Sequence, residues 1–344
     1  MKAHPSAKIF IDNQEVDLIN PIVVKEQSEW SKSILKFISE FLDAHKEVSV
    51  KTSGSTGTPK WMKISKSKMQ ASAQMTGAFL DLQPANTALL CLSADYIAGK
   101  MMIARALTLG LHLTCAEPKS EIELNQRFDF CAMIPMQAMA NMGSLHLIKN
   151  LIIGGGAIPN NGLKQLLELN HSGIYQTFGM TETLSHVALK KLNESSYLAP
   201  PGVTFSISER GTLEITASKL IDEKLITNDL IILESESSFK WLGRADNIIN
   251  SGGVKLIPEK IEAILSSHIQ NPFFVAGVPD EKLGEKLILV EESSKPTVLV
   301  FDNINGLNSF EKPKQIYVLK EFARTETNKI QRTKTLELLI KTLR

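Results

Sequence analysis

Near the start of the chain stands Thr52-Ser53-Gly54-Ser55-Thr56-Gly57-Thr58-Pro59-Lys60. Glycines let a backbone approach a phosphate closely. Hydroxyls and free backbone N–H groups donate to its oxygens, and the lysine neutralises charge. A polar hairpin loop without a ligand is the other reading, because turn composition alone allows it. The ATPase phosphate loop is G-x-x-x-x-G-K-[ST]. Counted from Gly54, the position before Lys60 is Pro59, and Trp61 follows the lysine. No hydroxyl stands there to hold magnesium, which argues against a kinase or ATPase of that type.

Other groups can do chemistry further along. Tyr175-Gln176-Thr177-Phe178-Gly179-Met180-Thr181-Glu182-Thr183 reads as a strand leading to a turn with a hydroxyl and a carboxylate. A carboxylate beside a triphosphate is a natural magnesium ligand, although an isolated Glu182 would read as a surface acid. Ile153-Gly154-Gly155-Gly156-Ala157-Ile158-Pro159 follows an apolar run, and its glycines would let a flat ring stack on backbone. A tight strand-to-helix turn would use the same residues. Thr227-Asn228-Asp229 and Gly243-Arg244-Ala245-Asp246-Asn247 carry charges that surface ion pairs would also explain. Arg324-Thr325-Glu326-Thr327-Asn328-Lys329-Ile330-Gln331-Arg332 holds a lysine in a polar loop. Arg105 follows Tyr96-Ile97-Ala98-Gly99-Lys100 on a helical run. Buried, its guanidinium can grip a carboxylate with two parallel bonds; on the surface it would pair with an acid. His186 fits a pocket wall or a core equally.

The elements that must position these groups follow from periodicity. Trp30, Ile34, Phe37, Ile38, Phe41 and Leu42 recur at helical spacing. A strand is expected around Val48 and Val50, then the polar loop, then a helix capped by Ser65 and running through Leu80. Strand-like runs at 88–92, 111–115, 128–134, 151–153 and 173–178 alternate with helical runs at 100–109, 136–142 and 163–169, which predicts an α/β layered domain. Short β-type runs at 203–208, 212–216, 230–233 and 239–242 predict a small β subdomain. Beyond the connection at 243–253, a helix at 259–265 and strands at 273–278, 287–290 and 298–301 predict a compact α+β unit. The expected division is 1–245 and 246–344.

Composition narrows the function classes. The 344 residues carry a formal net charge of +1, with 43% hydrophobic and 22% charged residues. Those are the proportions of a soluble globular protein, and no basic field exists for nucleic acid or an anionic membrane. Cys91, Cys115 and Cys131 stand in apolar runs and suggest buried, reduced thiols in a cytoplasmic setting. Met1 to Ser6 lacks the apolar run of a signal peptide, and no run reaches membrane-span length.

Taken in order, the segments resemble the adenylate-forming superfamily, which holds acyl-CoA synthetases, peptide-synthetase adenylation domains and luciferases. The loop at 52–60 looks like its phosphate signature, Tyr175 to Thr183 like Y-G-M-T-E-T, and 227–229 like T-G-D. Residues 243–247 look like G-R-x-D-D, and 324–332 resemble S-G-K-I-x-R. The resemblance implies a large multi-subdomain α/β domain with a mobile C-terminal α+β domain. It implies ATP, Mg²⁺ and coenzyme A as cofactors or substrates. Thr52, Ser53, Gly54, Ser55, Thr56, Gly57 and Lys60 would hold phosphate with Thr181, and Glu182 would hold Mg²⁺. Gly155, Gly156 and Ala157 would border adenine, and Tyr175, Gln176 and Thr177 would join the nucleotide site. Asp229 and Arg244 would take the ribose, Asp246 would be the hinge, and Gly252 and Gly253 would line the thiol channel. Lys329, with Thr56, Lys60 and Glu182, would stabilise charge at the reacting phosphate.

The departures are specific. Asn228 and Asn328 replace family glycines, and asparagine tolerates left-handed backbone; Asn247 replaces the second acid of the hinge motif. The early phosphate loop implies a missing N-terminal subdomain. No carrier domain follows Arg344, which favours a free thiol such as coenzyme A. The segment around Gly99 with Arg105, and His186 after the T-E-T turn, resembles the acyl site of o-succinylbenzoate–CoA ligases of menaquinone synthesis. The implied protein is a monomer or homodimer acting on a small carboxylic acid. A ligase for another fatty or aromatic acid, or a non-catalytic nucleotide-binding relative, are the alternatives.

Overall fold

In the computed structural model, residues 1–21, 28–51, 61–325 and 330–342 are described. The loop at 52–60 and Lys329 lie outside them. Helices are α1 (Glu29–Leu42), α2 (Lys66–Leu80), α3 (Ile97–Leu109), α4 (Pro135–Ala140), α5 (Asn160–Glu168), α6 (Pro258–Leu265) and α7 (Arg332–Thr342).

An eleven-stranded sheet organises the first part of the chain. Its centre is parallel: Ile174–Gly179, Ile148–Ile153, Phe128–Met133, Thr87–Leu90, His112–Cys115 and Lys8–Ile11 lie side by side in that order. Antiparallel strands extend both edges, Gln14–Glu15 at one and His186–Lys191, Tyr197–Leu198, Ser238–Arg244 and Asp229–Ser235 at the other. Parallel strands are covered on both faces, so their sequences are nearly continuous apolar runs. Side chains alternate between two cores. Phe130 and Ala132 join the core under α1, α2 and α3, whereas Cys131 and Met133 join the one under α4 and α5. Lys66 opens α2 fully buried and is paired with Asp43 at the end of α1, Nζ to Oδ1 2.6 Å, which ties the two helices together.

A separate three-stranded sheet holds Thr204–Ile207, Leu213–Thr216 and Leu225–Ile226. The expected β subdomain is therefore smaller than the sequence suggested. The runs at 230–233 and 239–242 belong instead to the edge of the main sheet, because Ser238–Arg244 pairs with Tyr197–Leu198. Phe239 is the reason: it is fully buried, with ring centroids 5.3 Å from Phe178, 5.4 Å from Tyr197 and 4.8 Å from Phe205.

Beyond Arg244 a second sheet forms from Ile249–Ser251, Val254–Leu256, Phe273–Asp280, Gly284–Glu292 and Gln315–Leu319. Its two faces bury α6 through Ile261 and Leu265, and α7 through Leu339. The strand expected at 298–301 does not form: Val298 is 93% exposed and Phe301–Asn303 is a short 3-10 turn. The sheet position beside Gly284–Glu292 is taken by Gln315–Leu319, in parallel. Ser65 precedes α2 as expected, yet its hydroxyl bonds to Ser67 Oγ at 2.7 Å and does not cap the helix. Among the described residues no helix is long and apolar enough to cross a membrane.

Phe239→Ala should lower stability by about 3–5 kcal/mol, as expected when a buried aromatic leaves a cavity. A urea titration followed by circular dichroism checks this, with a midpoint within error of the parent contradicting the central role of the ring.

Candidate active site

The carboxyl ends of the parallel strands present their loops on one edge of the sheet, where open α/β sheets bind ligands. After Thr87–Leu90 the chain turns through α3 to one side, and after Phe128–Met133 it turns through α4 to the other. The loops on this edge include Gly154 to Ala157, after Ile148–Ile153, and Met180 to Ser185, after Ile174–Gly179. Gly155, Gly156 and Ala157 are exposed. Tyr175 and Gln176 pair with Ile152 and Ile153 in the adjoining strand. Thr177 Oγ1 donates to the Ile153 carbonyl at 3.3 Å, joining the two loops at their bases. Strand pairing thus brings together two segments separated by some twenty residues of sequence. The antiparallel strands Glu47–Lys51 and Trp61–Ser65 flank residues 52–60, the segment of which phosphate contacts were expected.

Thr181–Thr183 forms a single 3-10 turn with Glu182 exposed. Thr183 Oγ1 accepts from the Met180 N–H at 3.0 Å, and the Ser185 N–H donates to the Thr183 carbonyl at 2.7 Å. That last bond closes a three-residue turn at Leu184, whose φ of +66° and ψ of −43° are the rare and strained form. Leu184 is buried in the main core, which holds it there. The turn reverses the chain within one residue and points Ser185 back at α3.

Arg105 lies there, 2% exposed. Its Nη2 donates to Ser185 Oγ at 2.8 Å and its Nε to Thr76 Oγ1 at 3.2 Å. Its guanidinium carbon stands 5.9 Å from the Phe130 ring centroid. No carboxylate pairs with it among the described residues, so the surface ion pair open to Arg105 in the sequence is absent. Burial alone pulls its pKa down to about 10. His186 completes the group, Nε2 at 3.1 Å from Thr76 Oγ1 and Nδ1 at 3.4 Å from Ser185 Oγ. One proton arrangement satisfies every contact. Arg105 donates to Thr76 and Ser185, Ser185 donates to Nδ1, Nε2–H donates to Thr76, and Thr76 donates to the Ser72 carbonyl at 3.0 Å. That arrangement uses a neutral His186, which burial followed by the Arg105 charge favours by holding its pKa well below the ordinary 6.5.

Gly99 has a packing role. A Cβ there would lie 2.2 Å from the Ser93 carbonyl oxygen, so the loop before α3 closes only over glycine. Sequence reasoning assigned no role to Thr76 or Ser185. Thr76 carries no motif, and only the packing of α2 against α3 reveals it. The thiols of Cys131, on Phe128–Met133, and of Cys91, just past the neighbouring strand Thr87–Leu90, stand 3.8 Å apart, both fully buried, a proximity that their spacing in sequence hides.

The charged motifs at the domain junction behave differently. Arg244 pairs twice with Asp246, Nε to Oδ1 2.9 Å and Nη2 to Oδ2 2.8 Å, so the plain ion-pair reading holds for this couple. The pairing raises the pKa of Arg244 and lowers that of Asp246. Asp229 is buried and accepts from Trp241 Nε1 at 2.8 Å. Asn228 does not adopt positive φ, so the left-handed backbone expected of it is not used. Asn247 has a reason of its own: its Nδ2 donates to Glu259 Oε1 in α6, where an acid would face a carboxylate. Gly252 and Gly253, with φ of +58° and +82°, make the two-residue turn joining Ile249–Ser251 to Val254–Leu256. Away from this edge, a groove of about 360 Å³ opens between Thr87, Arg127, His146 and Lys149 at the amino ends of the strands, and none of the motifs reaches it.

Comparison with known proteins matches this arrangement. The family model described as AMP-binding enzyme matches residues 50–209. An acyl-CoA synthetase (AMP-forming)/AMP-acid ligase II-like protein from Dyadobacter fermentans is 36% identical, with a TM-score of 0.62 over 92% of this chain and 96% of that one. The 2-succinylbenzoate–CoA ligase of Listeria innocua is 24% identical over 96% of this chain and 78% of its own. The o-succinylbenzoate coenzyme A synthetase of Bacillus subtilis, in complex with ATP and magnesium, shares the fold at 19% identity with a TM-score of 0.69, over 84% of this chain and 69% of that one. The chain belongs to the AMP-binding enzyme family, within the adenylate-forming superfamily. By class it is an ATP-dependent, AMP-forming ligase.

The neutral His186 has a pH consequence. Above about pH 6.5 the imidazole is uncharged in both folded and unfolded chains, so its depressed pKa costs nothing. Below that value the unfolded chain takes a proton that the folded one refuses, and stability falls by up to about 1.4 kcal/mol per pH unit. Replacing the imidazole in His186→Gln should therefore cost less stability at pH 5.5 than at pH 7.5, read from urea midpoints. A difference independent of pH would show that folding leaves the His186 pKa unshifted, and a larger cost at pH 5.5 would show that the imidazole is charged in the fold.

Proposed function

We propose that this ligase activates o-succinylbenzoate with ATP and passes the acyl group to coenzyme A. The observation that carries the substrate is Arg105, a buried guanidinium whose hydrogen-bond partners among the described residues are all neutral. Such a charge is costly to bury and gains most from an anion. Ser185 is only partly buried, so a carboxylate entering past the turn meets its hydroxyl first and the guanidinium behind it. A mono-acid has no group to place there. The names of the relatives from Listeria and Bacillus support the same acid.

The reaction has two steps. A carboxylate oxygen attacks the α-phosphorus of ATP, the bond from that phosphorus to the β-phosphate oxygen breaks, and pyrophosphate leaves. Lys329, Thr56 and Lys60 oppose the charge that builds on the phosphate oxygens. Glu182, exposed on its turn, would hold magnesium, whose charge would offset that of the phosphates, with Thr181 on phosphate. The adenine lies between Gly155-Gly156-Ala157 and Tyr175-Gln176-Thr177. Asp229 takes the ribose through the carboxylate oxygen that Trp241 leaves open, with Arg244 beside it. In the second step the thiol sulfur of coenzyme A attacks the acyl carbon, AMP departs, and the thiol proton passes to solvent. Residues 246–344 turn about Asp246 between the steps, replacing Lys329 with the Gly252-Gly253 hairpin at the thiol channel.

The test is carboxylate-dependent pyrophosphate release across an acid panel, with and without coenzyme A. Release with o-succinylbenzoate, and a thioester on adding coenzyme A, is the expected result; release with another acid alone would replace the substrate and keep the chemistry. Loss of a charge-assisted hydrogen bond is worth about 1.5–3 kcal/mol. Arg105→Ala should accordingly raise KM for o-succinylbenzoate by about 10- to 100-fold and leave KM for a mono-acid in place, and equal effects on both would remove the case for a second carboxylate. Lys329→Ala should slow adenylation by about 10²–10³-fold. Thioester formation from pre-made acyl-adenylate should persist, whereas matching losses in both steps would reject the role of the lysine.

A further inference from the structure

Lys329 stands between two arginines, Arg324 and Arg332, and each is fastened to a different part of the C-terminal sheet unit. Arg332 Nη1 and Nη2 donate to Glu262 Oε1 and Oε2, both at 2.7 Å. Glu262 lies on α6 and also accepts from the Val275 N–H at 2.9 Å. Arg324 donates through both terminal nitrogens to the two oxygens of Glu292, at the end of Gly284–Glu292. Glu292 further accepts from the Phe322 N–H at 2.6 Å. The four side chains are between 14% and 30% exposed, so both pairs are sheltered from water.

The pairs share a scaffold. Arg332 lies 5.5 Å from the Phe274 ring centroid and Arg324 lies 5.9 Å from that of Phe322. Phe274 and Phe322 pack edge to face at 5.3 Å within one core. Arg324 and Ile330 form an antiparallel bridge, and the Gln331 N–H donates to the Ala323 carbonyl at 2.8 Å. Thr335, fully buried in α7, donates to the Gln331 carbonyl at 2.9 Å and accepts from the Ala323 N–H at 3.2 Å. The residues flanking the segment that carries Lys329 are thus held against the core of Phe274 and Phe322, by two-pronged pairs whose planar geometry fixes direction as well as distance.

We propose that Glu262 and Glu292 are positioning residues for Lys329: each anchors, through its arginine, one end of the segment that presents the lysine to the reacting phosphate. The proposal rests on the reading of Lys329 given above. A lysine on a long flexible stem acts on a developing charge only if its backbone is placed. The anchors supply that placement without touching substrate.

The experiment measures both half-reactions by rapid quench in the full chain, for Glu262→Gln, Glu292→Gln and Arg332→Lys. Displacing a catalytic group by about 1 Å costs on the order of 10²-fold. Each variant should lose about that much in the rate constant of adenylation, with KM for ATP and acid little changed. Each should still form thioester from pre-made acyl-adenylate, which also shows that residues 246–344 remain folded. Glu262→Gln combined with Lys329→Ala should be no slower than Lys329→Ala alone, because the anchor acts through the lysine. Additive losses, or equal losses in both half-reactions, would overturn the proposal. Should Glu262→Gln fail to fold, Glu292→Gln and Arg332→Lys carry the same test. Normal adenylation by Lys329→Ala would sink the reading of the lysine and the anchoring with it. A crippled Lys329→Ala beside undiminished Glu262→Gln and Glu292→Gln would sink the anchoring alone.

Discussion

A guanidinium buried with no carboxylate beside it among the described residues is the constraint around which the first part of the molecule is arranged. Moving a full charge out of water is expensive, and hydrogen bonds to neutral groups return only part of the cost. Arg105 obtains those bonds from Thr76 on α2 and from Ser185 on the turn after Ile174–Gly179. Three elements must therefore meet: α2, α3 and the end of a central strand. The strained turn at Leu184 brings the third within reach, and the buried leucine side chain holds it. His186 is kept neutral by the same burial and by the charge beside it.

The two sheets solve a second problem. The reading of the chain as a two-step ligase needs one rigid edge for the nucleotide and another body able to bring different residues to it. The parallel strands supply the edge. The second sheet, with α6 and α7 on its faces, supplies the body, and it has its own cores. The contact between them at 243–259 includes polar groups. Asn247 bonds Glu259, and a Cβ at Gly243 would stand 2.4 Å from Glu259 Oε2. Arg244 and Asp246 close on each other there, an exposed pair that costs little to open. A junction built in this way suits a turn about Asp246 better than an apolar seam would.

Much of the fold was legible because apolar period is a local property. The amphipathic run from Trp30 to Leu42 became α1, and the apolar runs at 88–92, 128–134 and 151–153 became parallel strands. The reading failed where pairing decides the outcome. Residues 298–301 are apolar enough for a strand, yet the vacant edge went to Gln315–Leu319. Lys8–Ile11 carries too short a pattern to stand out and is a strand because His112–Cys115 offers it a parallel partner. The runs at 230–233 and 239–242 looked like part of the small β unit and were drawn to the main sheet by Phe239.

The sequence by itself determined the class of chemistry. A glycine- and hydroxyl-rich segment ending in Pro59-Lys60, an acid-bearing turn and a lysine at 329 are set by residue type and order, and these need no coordinates to be read. It also determined that Arg105 lies on a helix. Only the tertiary structure decided that this arginine is buried, that its partners are Thr76 and Ser185, and that Arg244 turns to Asp246. Those outcomes depend on which surfaces meet after helices and strands pack, and burial sets both the cost of a charge and the identity of the groups within hydrogen-bond reach. Residue type is local and contact is not, so the reaction class was visible in the chain while the company each charge keeps was not.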